Sequence, residues 1–325
     1  MSNQQIQKVK VKRLAHVGLW SRDALIQARF YHQTLGFDVH SIVENIADAD
    51  SDNDVVEANV FLSLGADYHC LGLFSKDADS ASVDGKRPTS AAQLHHLAFE
   101  VDTDAELAAL AARLNMSGIE LTLGTRDGDP DLGDTLWFND PDGNRIEISV
   151  VPDELLARST HTIKRRPALL QPHSLQHITL TTLHLETMVD FYTESLGFDI
   201  SDWLLRECAW LRCNNDHHTI TFMQGNPGID HIGYALKSGS ELLRWGDHLG
   251  HQQIPLLWGP GRHGAGGDLF LRAADPEGIH IELSAELQQY HDHDVTSPPR
   301  LWHSRVAAFN LWGTLPSWMR EESRI

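Results

Sequence analysis

Basic residues, cysteine and long apolar runs are all scarce in this chain. Lys and Arg number 26 against 45 Asp and Glu, a formal net charge of −19. A nucleic-acid surface needs a basic face to gather phosphates, so nucleic acid is not an expected partner. An acidic balance of this size fits a well-solvated protein. The three cysteines, Cys70, Cys208 and Cys213, include no Cys-x-x-Cys pair. They cannot build a disulfide framework, and a reducing cytoplasm is the expected home. No apolar run approaches the ~18–20 residues that cross a bilayer. The opening MSNQQIQKVKVKRLAHVGLW lacks the apolar stretch of a secretory leader, so neither membrane nor leader is expected.

What is present is repetition. The 325 residues, 41% of them hydrophobic, suit two ordinary domains. DPDGNRIEI runs from Asp140 to Ile148, and DPEGIHIEL from Asp275 to Leu283. HVGLWSRDALIQARFYHQTLGFDV begins at His16, and HITLTTLHLETMVDFYTESLGFDI begins at His177, 161 residues on. In both, Phe-Tyr follows the histidine by 14 and 15 residues and Gly by 20. Downstream, LHHLAFEVD carries His96 and IDHIGYALKS carries His231, each 51 residues before a glutamate, Glu147 or Glu282. The offset has fallen to 135, so the first copy holds 26 extra residues. The polar stretches ADADSDNDVVE and SKDADSASVDGKRP read as those insertions, in surface loops.

Each copy reads as a strand, a helix and several strands. AHVGLW alternates as a half-buried strand does. SRDALIQARFYHQTL reads as a helix with Ser21 as N-cap and Gly36 as terminator. VVEANVFLSLG and YHCLGLFS read as strands, DAELAALAARLNMSG as a helix, and TLWFNDPDGNRIEISV as a hairpin turning at Asp-Pro-Asp-Gly. The expected organisation is a module over residues 1–155, a basic, proline-containing linker over 156–173, a second module over 174–290 and a tail over 291–325.

His177, His231 and Glu282 fall on the first, a middle and the last strand of the second copy. Singly, a strand histidine is usually a satisfied core or surface residue. If the strands curl into a half-barrel, however, these three can converge on one face. Two imidazoles and a carboxylate form the facial triad of non-haem Fe(II) oxygenases, which leaves about three of six positions open.

These residues resemble the type I extradiol ring-cleaving dioxygenases of the vicinal oxygen chelate superfamily. The resemblance covers nearly the whole chain and rests on QHITL, FYTESLGF, WLRCNNDHHTITF, DHIGYAL, GPGRHG and DPEGIHIEL. It implies an α+β fold of two tandem modules, each a pair of βαβββ units forming an open half-barrel around a pocket. It also implies cleavage of a catechol-type ring beside the diol with O2, and assembly into a homo-oligomer. His177, His231 and Glu282 match the metal ligands, with Fe(II) expected and Mn(II) possible. His218 matches the acid/base and His263 the histidine that hydrogen-bonds the substrate. Trp210 falls at an aromatic wall of the pocket. The closing SPPRLWHSRVAAFNLWG matches a segment that covers the pocket, with Arg300 as a candidate substrate contact.

One position departs from the family. Its usual tyrosine, four residues before the proline of the DPxG turn, is Arg272 here. An arginine there could stabilise the bound diol, read an acidic ring substituent, or turn outward and leave a gap. The first copy offers His16, His96 and Glu147 at matching places, so ligand identity does not exclude a metal. Aligning DYHCLGLF with DHHTITF puts Cys70 at the place of His218. Gly128 and Trp137 stand where His263 and Arg272 do, and the family resemblance implies a metal-free structural module. Two other functions stay open: a glyoxalase-like isomerase or lyase on the same scaffold, and a metal-free small-molecule binding protein.

Overall fold

The computed structural model describes residues 9–45, 57–65, 69–75, 93–125, 134–150, 170–291 and 298–319. The linker expected over 156–173 lies outside them up to residue 169, as do nearly all of the two predicted insertions and Gly128.

The first module is two βαβββ units. One is β1 (Arg13–Ser21), α1 (Ala24–Leu35), β2 (Asp38–Asn45), β3 (Glu57–Ser63) and β4 (Leu71–Ser75). The other is β5 (Leu94–Val101), α2 (Asp104–Met116), β6 (Thr122–Thr125), β7 (Asp134–Asn139) and β8 (Arg145–Val150). The second module repeats the order. Its first unit is β9 (Ser174–Thr182), α3 (Leu185–Glu194), β10 (Asp199–Leu204), β11 (Cys208–Arg212) and β12 (Ile220–Gln224). Its second is β13 (Gly228–Ala235), α4 (Gly239–His251), β14 (Trp258–Arg262), β15 (Leu269–Ala274) and β16 (His280–Ala285). The tail adds β17 (Arg300–Trp302) and α5 (Arg305–Phe309). No helix among the described residues is long and apolar enough to cross a membrane.

Each module is one sheet. The first runs β2-β3-β4-β1-β5-β8-β7-β6, and the second β14-β15-β16-β13-β9-β12-β11-β10-β17. In each, the opening strands of the two units pair antiparallel at the centre, β1 with β5 and β9 with β13. Each opening strand also pairs parallel with the last strand of its own unit. The residues expected to carry chemistry therefore sit on neighbouring central strands.

Strand alternation then sorts the faces. On β9, Ile178 and Leu180 join the large core with Met188, Val189 and Tyr192 of α3. His177, Thr179 and Thr181 alternate with them and point to the other face. That face of the second sheet carries a separate apolar cluster containing Trp210, Trp258 and Phe270, onto which the tail packs Phe309, Leu315 and Met319. Removing such a side chain from water is worth roughly 1.5–3 kcal/mol each. The tail thus covers the site-bearing face of the second module.

Helix α1 begins two residues later than expected. Its N-cap is Asp23, whose side chain accepts from the Ile26 N–H, and Gly36 ends it at φ 76°. Ser21 instead closes β1 and donates to Glu277 Oε1 at 2.7 Å. The two repeated phrases meet across the modules. Tyr31 of α1 donates to Asp275 Oδ2 at 3.1 Å, and Tyr192 of α3 donates to Asp140 Oδ2 at 3.2 Å. Each Phe-Tyr helix therefore reads the Asp-Pro turn of the other module, and Phe37 packs edge-on against Tyr234 to join the cores.

Candidate metal centre and its surroundings

The second sheet brings its two histidines and glutamate together. His177 Nε2 lies 3.1 Å from His231 Nε2 and 3.5 Å from Glu282 Oε1. His231 Nε2 lies 3.7 Å from Glu282 Oε2. All three side chains are buried. Two donors at right angles on one ion, with bonds of ~2.1 Å, would be ~3 Å apart, so this spacing fits a common cation. The tautomers fit as well. His177 Nδ1 faces Gln176 Oε1 at 3.2 Å, and His231 Nδ1 faces Asp230 Oδ1 at 2.6 Å. An acceptor on each Nδ1–H leaves the Nε2 lone pair for a metal. Gly233, across from His177, keeps the space: a Cβ there would stand 2.1 Å from His177 Cε1.

Arg272 does not turn outward. It is 3% exposed, across from Glu282 on β15. Its Nε donates to Glu282 Oε2 at 2.7 Å and its Nη1 to Asp230 Oδ1 at 2.9 Å, while Nη2 lies 3.4 Å from His231 Nε2. The guanidinium so engages Oε2 and leaves Oε1 facing His177. Burial alone would raise the pKa of Glu282, but Arg272 and His231 outweigh it and hold the group well below the usual carboxylate range. Asp230 is depressed likewise, by Arg272 and His231 against burial. Burial, helped by Arg272, lowers His231 to about 4, so it is neutral at pH 7.

His218 stands beside the triad, its ring 4.4 Å from that of His177. Burial, and then the neighbouring imidazoles, hold its pKa well below 6.5. Its Nδ1 meets His217 Nδ1 at 3.1 Å. His217 Nε2 lies 3.3 Å from Asp202 Oδ2 and 3.1 Å from Arg300 Nη2. Arg300 also forks onto Asp202 at 2.8 and 3.0 Å, and Trp302 Nε1 donates to the same carboxylate at 2.7 Å. Arg300 thus reaches His217 rather than the triad, and it ties β17 of the tail to β10.

His263 closes another side. Its ring stacks on Phe270 at 3.8 Å, its Nδ1 meets the Phe309 carbonyl at 2.5 Å, and its Nε2 lies 3.4 Å from Glu282 Oε2. Burial lowers its pKa, but Asp268 and Glu282 outweigh that and raise it. Trp210 is buried 5.6 Å from the Phe309 ring, on the face that carries His231. The sequence reading missed Gln176, Asp230, Asp202 and His217. Asp230 and Gln176 had a signal, since each directly precedes a ligand histidine.

This arrangement, on two sheets of the same βαβββ pairs, coincides with a known family. The profile of the Glyoxalase/Bleomycin resistance protein/Dioxygenase superfamily matches residues 13–148 and 174–283. The chain belongs to that superfamily. Metapyrocatechase 2 of Cupriavidus necator is 24% identical over 250 residues, covering 70% of this chain and 74% of the relative. The iron-dependent extradiol dioxygenase of Rhodococcus jostii is 25% identical over 262 residues, covering 75% and 80%. Among solved structures, the Mn(II)-bound glyoxalase from Novosphingobium aromaticivorans has a TM-score of 0.73 at 24% identity, covering 94% of this chain and 91% of that one. Two tandem superfamily modules are thus both predicted and observed.

The first module requires a correction. Val17 pairs with Leu71 as Ile178 pairs with Ile220, and the Val17 N–H donates to the Cys70 carbonyl as that of Ile178 does to Thr219. Cys70 therefore corresponds to Thr219, and His69 stands at the place of His218. A one-residue slip on a strand exchanges its faces, which is why it changes the reading of this module.

Proposed function

We propose that the second module cleaves a catechol-type ring beside its diol with O2, using a divalent metal, Fe(II) or Mn(II), held by His177, His231 and Glu282. The observation that carries this reading is the convergence of three buried donors beside a buried, neutral histidine. Relatives named as a metapyrocatechase and as an iron-dependent extradiol dioxygenase support it. When bound, the metal supplies a common point for diol and O2 and a route for electron density between them.

The side chains supply the rest. His218 is neutral at pH 7, so it can take a proton from the diol and return it to the ring-opening product. His217 occupies its Nδ1, leaving Nε2 as the atom that exchanges the proton. His263, its Nδ1 fixed by the Phe309 carbonyl, presents Nε2 to a substrate oxygen and donates there in its protonated form, which Asp268 and Glu282 favour. Trp210, Trp258 and Phe270 form an apolar wall for a ring, and the tail excludes water from it. Arg272 is already neutralised by two carboxylates, so it offers little charge to an acidic ring substituent. Catechols with neutral substituents are the expected substrates, and the chain works as a soluble cytoplasmic enzyme.

The test is O2 uptake by the anaerobically Fe(II)-loaded protein over neutral and carboxylated catechols, with absorbance of the yellow ring-opened product. One O2 per ring opened supports the proposal. No uptake with any diol, despite bound iron, overturns it in favour of an isomerase, lyase or binding role.

A further inference from the structure

The first module reproduces the triad of the second almost atom for atom. His16 Nε2 lies 2.7 Å from His96 Nε2, and Glu147 Oε2 lies 3.8 Å from the first and 3.6 Å from the second. The two imidazoles meet edge-on at 82° with centroids 4.8 Å apart, against 82° and 5.1 Å for His177 and His231. All three side chains are buried. We propose that His16, His96 and Glu147 form a second divalent-metal centre, in a module for which the family resemblance implies a metal-free structural role.

Three further features favour a cation over a structural histidine pair. The first is orientation. His95 Nδ1 lies 2.6 Å from His96 Nδ1, as Asp230 Oδ1 does from His231 Nδ1. A neutral His95 accepting that N–H turns the His96 Nε2 lone pair toward His16 and Glu147, the outer support that metal-binding histidines ordinarily have.

The second is space. Gly18 stands across from His96, and a Cβ there would lie 2.3 Å from His96 Nδ1. Gly233 serves His177 in the same way from the other central strand. In each module a glycine makes room for one imidazole of the triad. A histidine pair needed only for packing would require neither this space nor a carboxylate from a third strand.

The third is the surroundings. The His69 ring lies 4.2 Å from His16, as His218 lies 4.4 Å from His177. Trp137 stands across from Glu147 where Arg272 stands across from Glu282. A cation in the first module thus meets an indole at that position, with the Arg145 guanidinium stacked on the ring at 4.0 Å and paired to no carboxylate of the triad. The two-nitrogen, one-oxygen donor set suits first-row divalent ions. This inference does not depend on ring cleavage in the second module.

The experiment strips the full-length protein with a chelator, dialyses it against Mn(II) and counts bound metal per chain. Mn-edge anomalous diffraction from wild-type crystals locates it. Two Mn(II) per chain are expected, falling to one in Glu147→Gln and to one in Glu282→Gln, with anomalous peaks between both histidine pairs. An unchanged count in Glu147→Gln, or no peak between His16 and His96, overturns the second centre. An unchanged count in Glu282→Gln instead overturns the metal site of the proposed dioxygenase. Should Glu147→Gln fail to fold by circular dichroism, the wild-type peaks decide.

Discussion

Replacing Arg272 by leucine should destabilise the metal-free protein far more than the metal-loaded one. Arg272 is buried and touches two carboxylates, at 2.7 Å for Glu282 and 2.9 Å for Asp230. Removing one partner of a buried pair leaves uncompensated charge and costs about 3–5 kcal/mol. In the loaded protein a divalent cation on Glu282 supplies much of the missing charge, so the loss should shrink to about 1–2 kcal/mol. By linkage the difference, about 2–3 kcal/mol, appears as tighter metal binding in Arg272→Leu, on the order of 30- to 150-fold. Urea unfolding of apo and Mn(II)-saturated protein, wild type and variant, measures all four states. Equal losses in the two forms, or unchanged metal affinity, would refute the view that Arg272 stands in for positive charge at the carboxylates.

Three other outcomes follow from the same geometry. His218→Ala should keep metal and substrate binding but lose about 100- to 10,000-fold in turnover, the usual range for a general acid–base; single-turnover rates after measured substrate binding check it. Gly233→Ala puts a Cβ 2.1 Å from His177 Cε1, so the ligand must move and metal content should fall below that of wild type while secondary structure by circular dichroism is kept. Asp202 is pulled up by burial but held below 3.8 by its bonds to His217 and Arg300, so its contribution to tail docking is full above pH ~4. It is lost as pH falls through the depressed value, and Trp302 accessibility to a fluorescence quencher should rise only there, modestly, because Arg300 is half-exposed.

Much of this was legible because duplication fixes positions twice. His177, His231 and Glu282 could be placed on three strands because the intervals from His96 and His231 to their glutamates match, and period-two alternation makes such residues share a face. The Phe-Tyr and Asp-Pro phrases were visible too, but not that each Phe-Tyr helix serves the other module's turn, since spacing within a copy says nothing about contact between copies. Aligning DYHCLGLF with DHHTITF puts Cys70 at the place of His218, one residue away from the register the strands adopt. The better signal was Asp-x-His, common to DYHC and DHHT, because Leu62 to Cys70 and Leu211 to Thr219 span the same number of residues. Arg300 with Asp202 could not be read at all: 98 residues separate them, and ion pairs have no periodicity.

The difference between the two modules therefore lies in what surrounds equal triads. Both hold two histidines, a glutamate, an adjacent imidazole and a space-keeping glycine. The second adds Arg272 between two carboxylates, His263 on Phe270 and a tail that seals an aromatic wall. Holding a metal requires only the features the modules share. Binding a planar diol, excluding water and moving one proton at His218 require the features peculiar to the second. If both triads load with Mn(II), ring cleavage should still be lost with Glu282→Gln, because it depends on the second triad together with this additional shell. Cleavage that instead survives Glu282→Gln and disappears with Glu147→Gln would place the chemistry in the first module and reverse this assignment.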